Sequence, residues 1–126
     1  DVEKGSVAVA RRDMPGKAGK SFVPQAGLTE YLEELLATIQ QNLYDRALQF
    51  RNDHTADVSN YDELKAQIER GFARAYWAGT TEDEKRIQDE TRATIRCIPL
   101  EQPEAGGICV YTGKPATQLV IFGRSY

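Results

Sequence analysis

The chain has 126 residues, 40% of them apolar, which is enough for a modest core and a prior of one domain with a piece of another. A formal charge of −3 excludes a protein whose main surface is a positive field for nucleic acid or anionic membrane, and no apolar stretch approaches the roughly 20 residues that cross a bilayer. The charge is uneven, with five basic and three acidic groups in residues 1–27 against eleven and sixteen in residues 28–126, so affinity for phosphate belongs near the N-terminal end.

Ser6-Val-Ala-Val-Ala10 alternates apolar and small residues and predicts a short strand, followed by Arg11, Arg12 and Asp13. Met14 to Ala26 carries two Gly, two Pro and two Lys and reads as a flexible connector and domain boundary. From Leu28 the spacing turns helical. Leu28, Tyr31, Leu32, Leu35, Ile39, Leu43 and Ala47 form a stripe, with Glu30, Glu33, Glu34, Gln40 and Gln41 off it, which predicts a long amphipathic helix over 29–52 with Thr29 as a cap. A second helix is expected over 61–70, capped by Ser59 or Asn60, with Leu64 and Ile68 inward and Gly71 as its stop.

Phe72 to Trp77 predicts a strand, and Thr81-x-x-Glu84 a capping box that opens a charged helix to about Glu90. Three further strands are expected at 94–100, 108–111 and 118–122, separated by turn signals at Pro103 to Gly107 and Thr112 to Pro115. The fold class is therefore α+β: a small antiparallel or mixed sheet with one long N-terminal helix and two shorter ones.

Little of this sequence favours catalysis. The only His, His54, lies in a polar stretch after the long helix and reads as a solvated helix-end residue. Cys97 sits in an Ile-rich strand and is expected to be a buried, inert thiol. The two cysteines are open to three readings: a disulfide, free thiols or the remains of a metal site. No secretion signal precedes them, which favours free thiols and the cytoplasm. The acidic run Glu82, Asp83, Glu84, Asp89 and Glu90 reads as a solvated face, and Tyr76 and Trp77 as core rather than base-stacking residues. Arg11, Arg12, Lys17 and Lys20 are the candidates for weak phosphate contact. Cys109-Val-Tyr-Thr112-Gly-Lys-Pro115 has the outline of a zinc knuckle in which a hydroxyl stands where the second thiolate belongs, and a neutral hydroxyl is a poor zinc ligand.

The segments Asp1 to Asp13, Gly71 to Gly79, Glu90 to Pro99 and Gly113 to Tyr126 together resemble the C-terminal part of prolyl-tRNA synthetases of the archaeal and eukaryotic-like type, a group of class II aminoacyl-tRNA synthetases. The resemblance implies that residues 1–24 end an anticodon-binding domain and that 25–126 form the C-terminal domain. It implies a larger, cytoplasmic, homodimeric enzyme that activates proline with ATP and Mg²⁺ and attaches it to tRNA(Pro). The catalytic residues of that enzyme lie outside this chain, and Arg11 and Arg12 are its weak tRNA contacts here. The implied task of the chain itself is structural, packing on the catalytic and anticodon-binding domains. A free-standing, degenerate zinc ribbon that binds RNA or protein is the alternative. Chains of this type often hold a structural zinc, and the ligand positions carried over are Ala78, Asp83, Cys109 and Thr112. Because one thiol remains, no zinc is expected, and the apolar residues Ile108, Val110, Tyr111, Leu119, Ile121 and Phe122 are expected to hold the knuckle instead. The resemblance also implies that Tyr126 folds back near the active-site region. The start at Asp1, without Met, is expected of a piece of a longer polypeptide.

Overall fold

The structure is a computed structural model that describes residues 2–124. It has two compact units, one up to Phe50 and one from Arg51 onward.

In the first unit, strands β1 (Ser6–Ala10) and β2 (Lys20–Pro24) pair antiparallel, with Val7 opposite Val23 and Val9 opposite Ser21. The expected connector at 14–26 is thus partly ordered, holding a 3₁₀ turn at Gly16–Gly19 as well as β2. Its Gly and Pro content hid a strand because the pairing comes from β1, a partner ten or more residues away, and local composition does not register it. Helix α1 (Leu28–Asp53) follows. Along it Ile39 is buried and Leu28, Tyr31, Leu35 and Leu43 are half-buried, which matches the expected stripe, whereas Leu32 and Ala47 are exposed.

An unforeseen polar cluster sits under the first unit. The Arg11 guanidinium grips the buried Asp13 carboxylate twice, Nε to Oδ1 at 3.1 Å and Nη2 to Oδ2 at 2.7 Å. Asn42 Nδ2 donates to the same Oδ2 at 2.9 Å, and Arg46 donates to the Asp13 carbonyl at 2.8 Å. The Arg11 and Asn42 hydrogen bonds outweigh the opposing effect of burial and hold the Asp13 carboxyl well below the usual carboxylate range. A carboxyl depressed in the folded state stabilises fully above its unfolded value near 3.8 and loses that contribution as pH falls below it. Melts of the protein between pH 7 and pH 2.5 should therefore show a loss of stability below about pH 4 that Asp13→Asn flattens. An unchanged pH profile in the variant would refute the role of this cluster.

The second unit is a four-stranded sheet in the order β3-β4-β8-β5, from β3 (Thr55–Asp57), β4 (Phe72–Trp77), β5 (Ala93–Cys97) and β8 (Gln118–Arg124). The β3–β4 pair is parallel, bridged by helix α2 (Tyr61–Ile68), and the other two pairings are antiparallel. Helix α3 (Thr81–Thr91) leads into β5, and a small ladder of β6 (Gly107–Ile108) and β7 (Pro115–Ala116) stands apart. The sheet has two different faces because alternate residues point opposite ways. Ala73, Ala75 and Trp77 of β4, with Val120 and Phe122 of β8, join Leu64, Ile68 and Ile87 of the helices in one buried core. Trp77 meets Phe122 edge-on, with ring centroids 5.6 Å apart. The intervening residues Phe72, Arg74, Leu119 and Ile121 are half-buried or exposed.

Several expectations are corrected. The alternation that was to hold the knuckle divides between the two faces, so Val110 and Phe122 are buried, Tyr111, Leu119 and Ile121 half-buried, and Ile108 57% exposed. The segment 108–111 is not one strand, because β6 ends at Ile108 and the chain turns at Cys109. Cys97 is exposed rather than buried: the register shifts between Ile95 and Cys97, which resets the alternation on an edge strand. His54, in the turn just after α1, is half-buried, and its carbonyl accepts the Phe72 N–H at 2.7 Å, which begins the β3–β4 ladder.

Gly71 is needed at that ladder for a reason beyond helix termination. A Cβ there would overlap the His54 carbonyl oxygen, a backbone atom that cannot move without breaking the Phe72 bond. Gly71→Ala should cost about 1–3 kcal/mol by overpacking, read as a lower denaturant midpoint. A midpoint within error of the parent would show that the two segments are not in contact.

Candidate functional site

The knuckle is assembled where β4, the start of α3 and the β6–β7 turn meet. Cys109 N donates to the Lys114 carbonyl at 2.8 Å and Gly113 N to the Cys109 carbonyl at 3.1 Å, closing a tight loop around Val110 to Thr112. Gly113 takes φ +69, a conformation open to glycine and unfavourable for side chains. Val110 N reaches the Tyr76 carbonyl at 3.0 Å, which ties the loop to β4.

Inside the loop the Cys109 thiol is 2% exposed and accepts the Thr112 N–H at 3.4 Å. Burial alone pushes this thiol up. Hydrogen bonding from the Thr112 side chain and from the backbones of Thr112, Ala78 and Tyr111 together outweighs burial and brings it below its ordinary value. Three of the four carried-over positions, Ala78, Cys109 and Thr112, thus converge on one sulfur atom, two of them through hydrogen bonds rather than through metal-ligating side chains.

Asp83, the fourth, is turned to another task. Thr80 caps α3: its N–H donates to Asp83 Oδ2 at 2.9 Å, and Asp83 N donates to Thr80 Oγ1 at 3.2 Å. The capping box is therefore Thr80 with Asp83, one residue before the expected Thr81 and Glu84, and Glu84 instead accepts the edge-strand N–H of Ile95 at 3.0 Å. The Thr80 backbone N–H is the largest influence holding the Asp83 carboxyl down against burial, helped by the Thr80 side chain, Arg86 and Lys114. Arg86 lies 3.7 Å from Oδ1. Both oxygens of Asp83 are thus engaged.

This donor set does not fit zinc. Ala78 offers no side-chain donor, the Thr112 hydroxyl accepts the Lys114 N–H at 3.4 Å, and the Asp83 carboxylate serves the helix cap. Among the described residues no group of three or more His, Cys, Asp or Glu could hold a metal. Cys97 is no substitute, since it opens onto a cleft with Phe72 and Ile121.

The remaining predicted positions are dispersed. Arg11 is occupied by Asp13, whereas Arg12 is exposed. Tyr126 lies outside the described residues. Two residues with clear structural roles carried no sequence signal. Asp13 finds Asn42 at a separation of 29 residues. The Gln102 amide accepts the Leu119 N–H at 2.7 Å and donates to the Leu119 carbonyl at 3.1 Å, taking the place of a strand neighbour beyond the end of β5.

Residues 61–126, which include α2, α3 and the whole knuckle, match the family model for the C-terminal domain of prolyl-tRNA synthetase. The full chain is 75% identical to a proline--tRNA ligase of Roseiflexus sp. (strain RS-1) and 72% identical to that of Chloroflexus aggregans, in each case covering 26% of the relative. It is 45% identical to the chloroplastic/mitochondrial proline--tRNA ligase of Arabidopsis thaliana, covering 24% of it. The chain spans about a quarter of the length of these curated relatives. With the family model matched over more than half its residues, the chain belongs to the prolyl-tRNA synthetase C-terminal family.

Proposed function

We propose that the chain is the C-terminal part of a proline--tRNA ligase, which activates proline with ATP and Mg²⁺ and attaches it to tRNA(Pro), and that its own contribution is structural. The observation that carries this reading is the 75% identity to a proline--tRNA ligase along all 126 residues. The chemistry of the chain supports it: the one buried thiol is sealed in a hydrogen-bonded loop, and the buried carboxylate Asp13 is neutralised by Arg11. On this reading residues 1–24 complete the anticodon-binding domain, and residues 25–126 pack on that domain and the catalytic domain. The enzyme works as a cytoplasmic homodimer, and no residue of this segment holds ATP or Mg²⁺. Arg12 is the better placed of the two basic positions for a tRNA phosphate, since Arg11 is committed to Asp13. The knuckle carries no zinc, its ligand positions having passed to the thiol hydrogen bonds and the α3 cap.

Assays of the ligase carrying this segment test the reading. Proline-dependent ATP–pyrophosphate exchange should be present in the full polypeptide and absent from the 126 residues alone. Salt-sensitive binding of proline tRNA by the isolated chain, without exchange activity in the longer polypeptide, would instead favour a free-standing RNA-binding module.

A further inference from the structure

The four-stranded sheet is covered by helices on one face, and on the other it is open except where the Ala105 and Gly107 segment covers Tyr76. Two adjoining clefts of about 860 and 530 Å³ run over the open face and share Arg74, Glu101 and Leu119. The floor of the smaller cleft is apolar, from Phe72, Leu119 and Ile121, and Leu119 continues it into the larger one. Arg51 and Arg96 line the smaller cleft, and Arg74, whose charge is met by Asp57, lies where the two join. Arg96 is anchored by its Nε to the Gly123 carbonyl at 3.2 Å, and Arg51 is exposed beside the cleft, its guanidinium donating to the neighbouring Asn52 Oδ1 at 3.0 Å.

We propose that this open face docks an acidic, apolar-flanked segment from the rest of the ligase polypeptide, with carboxylates against Arg51 and Arg96 and apolar side chains over Leu119 and Ile121. The proposal rests on the appended-domain reading above and names the surface through which the domain is attached. Two observations select this occupant. In the 75% identical relative, about three quarters of the polypeptide lies outside the matched region and is available to cover the face. The charge balance disfavours RNA, because Glu101 lines both clefts and Asp57 neutralises Arg74, which leaves too little clustered positive charge to track a phosphate backbone. An anchored Arg96 with Arg51 beside it over an apolar floor suits a short acidic peptide segment, which forms paired, charge-assisted hydrogen bonds while burying its flanking side chains.

The exposed thiol of Cys97, which lines the smaller cleft, reports on occupancy. In the full-length ligase, maleimide labelling of Cys97, followed by mass spectrometry of its peptide, should be at least tenfold slower than in the R51E/R96E variant. Arg51→Lys with Arg96→Lys should retain most of the protection. Replacing nearby cations by carboxylates disfavours the reactive thiolate, so faster labelling in R51E/R96E reports undocking and not thiol activation. Labelling of the parent enzyme as fast as the charge-reversed variant would overturn the proposal. So would protection that appears only when tRNA is added, which would make RNA the occupant. Cross-linking in the same full-length protein separates the two levels of the argument. If Cys97 is open while Lys65 and Lys85, on α2 and α3, cross-link to the rest of the polypeptide, the chosen face is wrong and the appended-domain reading stands. If Cys97 is open and no cross-link leaves the second unit, both fail.

Discussion

Elemental analysis of the protein should return zinc far below one equivalent, and the triple variant Ala78→Cys, Asp83→Cys, Thr112→Cys should take up one equivalent that a chelator removes. The loop closed by Cys109 N and Gly113 N already brings the backbones of Ala78 and Thr112 to the Cys109 sulfur, so the variant supplies ligands to a loop that is folded without them. Structural zinc in thiolate sites contributes on the order of 10 kcal/mol or more to folding. Replacing Asp83 gives up its half of the capping box with Thr80, which costs no more than about 1 kcal/mol. The gain is therefore expected to dominate, seen as a large rise in melting temperature with zinc that disappears with chelator. Stoichiometric zinc in the native protein would show that Asp83 or Thr112 abandons its hydrogen bonds to serve as a ligand. Failure of the triple variant to bind would show that the loop has drifted from the metal-holding arrangement.

The largest loss is expected from Phe122→Ala. Phe122 is fully buried, stands opposite Ala73 on one side and Ile95 on the other, and meets Trp77 edge-on. Removing a buried phenyl ring costs about 3–5 kcal/mol, against a total stability on the order of 5–10 kcal/mol for a domain of this size. The variant should consequently be marginally folded at room temperature. The readout is direct, because Trp77 is the only tryptophan and its fluorescence follows its contact with Phe122. Phe72→Ala on the open face is the control. Phe72 is 37% exposed and outside the buried core, so its loss should cost far less. Equal costs at the two positions would mean that the core has been assigned to the wrong face.

Both expectations follow from one property of the second unit. Its stability comes from the helix-covered face of the sheet, and its knuckle is held by backbone hydrogen bonds, an αL glycine and a capping box. The thiol at Cys109 accepts hydrogen bonds that its neighbours in the loop supply. That leaves the open face, with Arg51, Arg96 and the apolar floor, as the part of the unit least explained by its own stability.

Much of the fold was legible in the residues. Ser6–Ala10 and Phe72–Trp77 are strands with the expected bounds, and the helices at 28–53, 61–68 and 81–91 lie within two residues of expectation at each end, because each has a strong local pattern and a nearby start or stop signal. Asn60 caps α2 through its side chain, as one of the two expected candidates. The misses have a common cause. Strand β2 hid among Gly and Pro, and β3 in the polar stretch after His54, since each is a strand only by virtue of its partner. Cys97 was misplaced because a bulge in β5 resets the alternation, and no local sequence signal marks a bulge formed against Ile121 of β8. Thr80 prevailed over Thr81 as the cap because β4 ends at Trp77 and fixes where the helix can begin.

By itself, the sequence determined the α+β class, the three helices and the family, because these depend on residue identity and on periodicities of a few residues. Only the tertiary structure decided that Arg11 neutralises a buried Asp13, that Gln102 completes an edge of β8, that Asp83 closes the capping box with Thr80, and that Arg51 and Arg96 line a cleft on the face of the sheet away from the helices. Those outcomes join residues far apart in the chain or select between neighbours of equal propensity, and the deciding energies are burial, pairing and exclusion of volume, which exist only once the chain has folded.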